Sequence, residues 1–149
     1  MLVIKPYDSV GKVKFGMTAD ELMAVLGAPL RIAKNRRGEP SYEYGDLMIR
    51  LSVESNKVAE IALMPQSGVE VEGVDADVFS SDDALAHLLE KDGSPYEYMG
   101  FIVLLRLGMT FTGFHDSDES QKAVTVFEKG RWNTLRSQLN TFRPAKPAV

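Results

Sequence analysis

The spacing of apolar residues predicts two short amphipathic helices, one in each half of the chain. An i, i+3, i+4 pattern occurs twice, at Leu22, Val25 and Leu26 and again at Leu85, Leu88 and Leu89. This spacing places the three side chains of each set on one face of a helix, where they can pack against a core. We therefore expect helices over 18–27 and 81–91.

The residues that flank these two patterns support their boundaries. Thr18 and Glu21 match a capping box, in which the threonine oxygen accepts from the Glu21 amide and the glutamate reaches back. Residues 80–83 offer a similar polar start for the second helix. A glycine followed two residues later by a proline stops each pattern, at 27–29 and at 93–95.

Strand patterns follow each helix in the same order. A Tyr-Glu-Tyr segment, a tight turn, an apolar strand and a last strand occur at 42–53 and 57–64 and again at 96–107 and 122–128. The order strand, helix, strand, strand therefore predicts two repeats, at about 10–64 and 73–128, that share one core.

These elements predict an α+β fold in which duplicated strand–helix–strand–strand units form an antiparallel sheet with helices packed on it. A further helical spacing lies near the C-terminus, at Trp132, Leu135, Leu139 and Phe142. It predicts a C-terminal helix over 131–141 with Trp132 in the core. Residues 1–143 then form a single domain, and 144–149 form a flexible tail.

Composition narrows the classes of protein. The chain has 149 residues, of which 44% are hydrophobic and 26% charged, as in ordinary globular domains. With 17 basic and 21 acidic residues the net charge is −4, which argues against a nucleic-acid partner. There is no cysteine, so disulfides, thiolate catalysis and cysteine-bound zinc are excluded. No apolar run is long enough for a leader or a membrane span, so we expect a cytoplasmic protein without a membrane partner.

One segment resembles a known bacterial motif. Residues 16–29 read GMTADELMAVLGAP, which is similar to the pattern G-M-T-x-x-E-V-x-x-x-L-G-x-P. That pattern looks like the helical entry of the SmpA/OmlA family and of beta-lactamase-inhibitor-protein-like domains. The matching scaffold positions are Gly16, Thr18, Glu21, Leu26, Gly27 and Pro29.

The resemblance implies a noncatalytic binding module, because the inhibitor is a tandem duplication that offers a sheet face to a protein target. The chain departs from both families, since it has neither the cysteines of the secreted inhibitor nor the lipobox cysteine of the lipoproteins. These departures favour a cytoplasmic relative, such as an immunity protein that neutralises a toxin or enzyme by binding it. No functional residue of either family is carried over.

Two charged segments are candidates for a functional site, one for binding a metal and one for contacting a partner protein. Residues 115–119, His-Asp-Ser-Asp-Glu, contain metal-ligand types, yet the glycine and distal glutamate of a calcium loop are missing, so we interpret them as a solvated acidic loop. Residues 31–37 contain a basic loop that can bind an acidic protein surface and raise the rate of association with it. No Gly-x-Ser-x-Gly, phosphate-loop or dinucleotide motif occurs, so we predict neither an enzyme nor a cofactor.

Aromatic residues beside these loops complete the predicted partner-binding set. Two tyrosine pairs have a spacing that places both rings of each pair on one strand face, either at the core rim or on an exposed surface. Phe114, beside the acidic loop, is expected to be an exposed anchor. The full set is Arg36, Arg37, Tyr42, Tyr44, Tyr96, Tyr98, Phe114, Asp116 and Asp118.

Two functions follow as hypotheses. The first is a protein-binding module that acts as an immunity protein or inhibitor. The second is a small-molecule-binding protein, because tandem strand–helix–strand–strand units also resemble the GyrI-like architecture, in which two units enclose an apolar cleft.

Overall fold

The structure is a computed structural model that describes residues 2–65, 68–74, 76–79, 83–114 and 122–143. The helices in these ranges are α1 (Ala19–Leu26), α2 (Ala84–Asp92) and a 3-10 helix (Asn133–Gln138). The strands are β1 (Leu2–Lys5), β2 (Ser9–Val10), β3 (Val13–Lys14), β4 (Arg31–Lys34), β5 (Pro40–Tyr44), β6 (Leu47–Leu51), β7 (Val58–Leu63), β8 (Val69–Val71), β9 (Tyr96–Tyr98), β10 (Phe101–Leu104), β11 (Met109–Thr112), β12 (Ala123–Phe127) and β13 (Asn140–Thr141).

Nine of these strands form one sheet in the order β13-β9-β10-β11-β12-β7-β6-β5-β4. Every neighbouring pair in it is antiparallel. A smaller sheet has the order β3-β2-β1-β8 and joins β1 to β8 in parallel. The predicted α+β class with an antiparallel sheet is therefore confirmed.

Without the edge strand β13, the large sheet has four strands on each side of the boundary between β7 and β12. Four antiparallel strands follow α1 and end in β7, and four follow α2 and end in β12. The matched tyrosine segments do not occupy equivalent strands, because β5 is third from the centre on its side and β9 is fourth. The proposed duplication and its boundaries stay a prediction.

The two faces of the large sheet differ because side chains alternate along each strand. One side, here the core face, carries the apolar members of the strands and is fully buried at Ile49, Ile61, Phe111, Val124 and Val126. Leu22 of α1 and Leu88 of α2 belong to the same core cluster. Burial of these side chains holds the helices and the small sheet against this face.

Helix α1 has the predicted ends. Thr18 Oγ1 accepts from the Glu21 amide at 3.2 Å, and a Glu21 carboxylate oxygen accepts from the Thr18 amide at 3.1 Å. Gly27 closes the helix at φ +81°, a conformation that glycine adopts without steric cost. Helix α2 ends at Gly93, but Asp83 at its start makes no side-chain capping bond, and residues 80–82 lie outside the described ranges.

The C-terminal segment differs from the predicted α-helix over 131–141. It contains the 3-10 helix Asn133–Gln138 and then β13, which pairs with β9 through Asn140 and Glu97. Asparagine, serine and threonine are frequent there and favour local side-chain to backbone bonds over a long helix. Pairing with the sheet therefore decides the conformation of this segment. The predicted tail, 144–149, lies outside the described ranges.

Candidate functional site

The side of the large sheet opposite the core face carries polar residues, and we call it the outer face. Its register brings Ser41 opposite Arg50, Arg50 opposite Glu60, and Thr110 opposite Thr125. The chain after β12 crosses this face as residues 128–138. The side chains of this crossing segment determine what the face can bind.

Arg131 joins the crossing segment to the sheet through buried ion pairs. Its guanidinium donates to both carboxylate oxygens of Glu39, at 2.6 and 2.9 Å, and its Nε lies 3.4 Å from Oε1 of Glu60. Arg50 pairs with Glu60 as well and donates to Ser41 Oγ at 3.1 Å. The side chains of Arg131 and Glu39 are only 10% and 5% exposed. Two arginines and two glutamates therefore form one connected network, in which the Arg131–Glu39 pair is bidentate.

The turn between β4 and β5 places Glu39 for this contact. Asn35 Oδ1 accepts from the amides of Arg37 and Glu39 at 3.0 and 2.9 Å, which folds the turn. Asn35 Nδ2 also donates to Glu39 Oε1 at 2.9 Å. One asparagine thus shapes the loop and holds its carboxylate.

The ion network shifts the pKa values of its members and of the neighbouring Glu128. Burial acts to raise the pKa of Glu39, but hydrogen bonds from Arg131 and Asn35 outweigh it and hold that pKa below its ordinary value. Burial acts to lower the pKa of Arg131, and its bonds to Glu39 with the charge of Glu60 raise that pKa instead. The pKa of Glu128, at the start of the crossing segment, is raised by burial and by Glu54 and Glu39, against the lowering effect of Arg131.

Trp132, beside Arg131, lies in a row of aromatic rings. Its ring centroid is 5.6 Å from that of Tyr98 in an edge-to-face contact and 6.1 Å from that of Phe127. Phe127 in turn lies 6.0 Å from Tyr7, also edge to face. Such contacts add to the burial of the rings and fix their orientation. Trp132 separates two grooves, because it lines both.

The first groove, the sheet-face groove, has a volume of about 300 Å³ and lies against β10–β12 and the crossing segment. Its wall includes Tyr98, Phe101, Thr110, Thr125, Trp132 and Leu135. Arg37 stands at its rim and also lines a neighbouring groove of about 450 Å³ with Glu54 and Glu128. Phe101 is 37% exposed, and Met99 in the adjacent turn is 80% exposed. The second groove, on the other side of Trp132, is lined by basic side chains.

The predicted tyrosines lie on opposite faces of the sheet. Tyr42 is 9% exposed and belongs to the core cluster, and Tyr44 packs on that cluster and donates its hydroxyl to the Gly27 carbonyl at 2.9 Å. Tyr96 and Tyr98 are half-buried on the outer face, in register with Val103 and Phe101. Of the two interpretations left open for Tyr42 and Tyr44, the core rim is the one that the structure shows, because strand alternation turns both rings toward the helices. Tyr98 remains available at the sheet-face groove.

Phe114 and Trp132 are both half-buried, which differs from the exposed and core positions expected for them. Phe114 packs on the core, with its ring 5.3 Å from Phe111 and 5.7 Å from Phe79, and the Lys122 ammonium lies 4.7 Å from its centroid. Trp132, expected in the core, is half-buried beside the grooves. The residues that follow β11 bring Phe114 to the core cluster, whereas the crossing segment that carries Trp132 lies over the outer face.

The charged members of the predicted set separate as well. Arg37 reaches the sheet-face groove, while Arg36 is exposed in the same turn and lines none of the grooves described here. Asp116 and Asp118 lie outside the described residues, as does His115 of the acidic loop. Within the described ranges, no group of three or more histidine, aspartate or glutamate side chains is arranged to hold a metal ion.

The ion network was missed by sequence reasoning, although a signal for it exists. Arg50 and Glu60 are each the one charged residue in an otherwise apolar strand, LMIRL and VAEIAL. Isolated charges in neighbouring apolar strands indicate a partner across the sheet, because a buried charge needs one. Arg131 and Glu39 carried no such signal, since both lie in polar loops.

Comparisons with known proteins add little to this geometry. No protein-family model and no curated protein matches the chain. Among solved structures, the fold is similar to an extracellular protein containing a SCP domain from Bacillus anthracis str. Ames, with 14% sequence identity and a TM-score of 0.49. The match covers 89% of this chain and 50% of that one, so the chain spans about half the length of that protein. A likeness of this size carries no argument about function.

The helices are short in relation to the thickness of a bilayer. In the described part of the chain, neither α1 nor α2 nor the 3-10 helix combines the length and hydropathy that a membrane-spanning helix requires.

Proposed function

We propose that this protein is a noncatalytic protein-binding module that acts as an inhibitor or immunity protein by occupying a partner's surface. The observation that carries this proposal is the sheet-face groove, in which Tyr98, Phe101 and Trp132 lie beside arginines on an ordered sheet. Tryptophan, tyrosine and arginine are the residue types that most often dominate binding energy in protein interfaces.

The ion network supports this role because it orders the surface before a partner arrives. Arg131 is held by two glutamates, so the neighbouring Trp132 has a defined position. A surface that is already ordered loses less conformational entropy on binding. Phe101 and Met99 then offer exposed apolar area at the end of the groove.

The noncatalytic character is part of the proposal. In the described residues around the groove, Glu39 and Glu60 are engaged by arginines, and the hydroxyls that line it are those of Tyr98, Thr110 and Thr125. General acid–base or nucleophilic catalysis needs a base within hydrogen-bond reach of the reacting group. The arrangement therefore suits recognition better than turnover.

The experiment is capture of the partner from an extract of the source cells, followed by kinetics with the purified pair. Phe101→Ala should weaken binding by about 2 kcal/mol or more if Phe101 is a hot spot, mostly through faster dissociation. Ile32→Ala is the matched control, because Ile32 is an exposed apolar residue of β4 outside the groove.

Two results would contradict the proposal. An affinity of Phe101→Ala equal to that of Ile32→Ala and of the original protein would place the contact outside the sheet-face groove. A stoichiometric small ligand in native mass spectrometry, with no protein partner captured, would favour the small-molecule alternative. A cytoplasmic location is tested separately, by fractionation of the source cells.

A further inference from the structure

The groove on the other side of Trp132 is basic, and we call it the cationic groove. It has a volume of about 480 Å³ and lies between the β10–β11 turn and residues 129–136. Three cationic side chains line it, those of Arg106, Lys129 and Arg136. Tyr7, Phe127 and Trp132 form its aromatic part.

Tyr7 joins the N-terminal turn to this groove. Its hydroxyl donates to the Leu105 carbonyl, one residue before Arg106. Its ring lies against Gly108, where an added Cβ would come within 2.9 Å of a ring carbon. Glycine at this position, with φ +69°, therefore allows both the turn and the close approach of the ring.

The three cations have no ion-pair partner among the described residues, whereas Arg31, Arg50 and Arg131 each pair with a glutamate. Asp92 is the carboxylate whose charge acts on Tyr7, together with Arg136. It is fully buried and accepts from the amides of Arg106 and Leu107 at 2.9 and 3.2 Å. Asp92, inside the protein, thus holds the turn that contains Arg106. It does not line the groove.

We infer that the cationic groove binds an acidic segment of a partner protein, with two or more carboxylates close together; this inference rests on the proposed function. Charge complementarity supports an anionic ligand, because three unpaired cations converge on one groove in a chain whose net charge is −4. The aromatic wall suits the apolar parts of a peptide. The overall negative charge disfavours a long polyanion such as nucleic acid, which needs an extended basic surface.

Trp132 provides the measurement, since it is the only tryptophan of the chain. Its emission is followed while an octaglutamate peptide is added at low salt, with octaglutamine, inorganic phosphate and a single-stranded oligothymidylate as comparisons. We expect octaglutamate to change the emission saturably, with an affinity that falls as salt is raised. Octaglutamine should leave the emission unchanged.

Charge-removing variants locate the site. Exposed ion pairs contribute roughly 0.2–1 kcal/mol each, so the triple variant Arg106→Gln, Lys129→Gln and Arg136→Gln should bind octaglutamate between about threefold and about 150-fold more weakly. Lys12→Gln is the control, because Lys12 is exposed and lines neither the cationic groove nor the sheet-face groove. Its affinity should stay within about twofold of the original, since it removes a charge outside the site. Circular dichroism establishes that each variant is folded.

The outcomes separate this inference from the proposed function. Unchanged octaglutamate affinity in the triple variant, or tighter binding of oligothymidylate or phosphate than of octaglutamate, would overturn the inference. Capture of a protein partner that depends on Phe101 but not on the three cations would overturn it too, while the proposed function stands. Loss of octaglutamate binding in the triple variant, with no protein partner captured, would leave the groove's chemistry supported and the proposed function contradicted.

Discussion

The two faces of the nine-stranded sheet are built from the same strands and held by different forces. In β7, Ile61 is fully buried on the core face, while the neighbouring Glu60 pairs with two arginines on the outer face. Hydrophobic burial on the core face is nondirectional and tolerates many side chains of suitable size. The ion network on the outer face is directional, and it orders the crossing segment while Phe101 and Trp132 stay accessible. The comparison teaches that side-chain alternation gives the two faces of one sheet different kinds of contact.

The largest expected effect comes from breaking the core face. Phe111→Ala removes a fully buried ring that contacts Phe114, and large-to-small core changes of this kind cost about 3–5 kcal/mol. Urea denaturation measures the free energy of unfolding. Phe101→Ala, a phenylalanine truncation on the outer face, should cost far less because that ring is 37% exposed. Similar losses in the free energy of unfolding for both variants would mean that Phe101 on the outer face stabilises the fold as much as a core residue does.

The next effect comes from breaking the ion network. Arg131→Met leaves Glu39 buried without its partner, and removal of one member of a buried pair costs roughly 3 kcal/mol or more. The double variant Arg131→Met, Glu39→Met should regain much of that loss, because no charge is then left unpaired. Denaturant melts of the singles and the double form a double-mutant cycle. Additive losses would show that the two side chains do not act as a pair.

A smaller effect is expected at the start of α1, which covers the core face. Thr18→Ala removes the oxygen that accepts from the Glu21 amide and should cost about 1 kcal/mol. Thr18→Ser keeps the oxygen and serves as the control. Thermal melts followed by circular dichroism compare the two. An equal loss in both variants would assign the effect to the threonine methyl group and not to the cap.

The smallest effect concerns pH and Glu128 beside the network. Burial raises the pKa of Glu128 above its ordinary value of 4.5, so the folded state binds this proton more tightly than the unfolded chain does. The resulting contribution to stability is present below pH 4.5 and is lost as the pH rises through the raised value. Glu128→Gln should therefore raise the free energy of unfolding at pH 7 by up to about 0.5 kcal/mol and flatten its pH dependence.

Denaturant melts from pH 4 to pH 7 measure this effect. Glu97→Gln is the control, because Glu97 is exposed on β9 and should leave the profile unchanged. A profile of Glu128→Gln that follows the original protein would contradict the role of Glu128. Glu39 acts in the opposite sense: its lowered pKa stabilises the fold above pH 4.5, and that contribution is lost as the pH falls further.

Sequence reasoning identified part of the candidate site. It selected Arg37 and Tyr98, which the fold brings to the sheet-face groove. It missed Arg131, because a single arginine after a glycine carries no pattern of its own. Trp132 was assigned to a helix stripe, and the pairing of β13 with β9 is a long-range contact that local spacing does not encode.

The sequence by itself determined the elements whose cause is local. The capping box of α1 and its glycine end involve residues a few positions apart, and β6 and β7 are short apolar runs, so the sequence along the chain already contains their cause. The tertiary structure alone decided which face each strand presents and which charges meet. Glu39 and Arg131 are 92 residues apart, and Tyr7 reaches a carbonyl 98 residues away. Such contacts depend on strand order and register, which are set by the packing of the whole core.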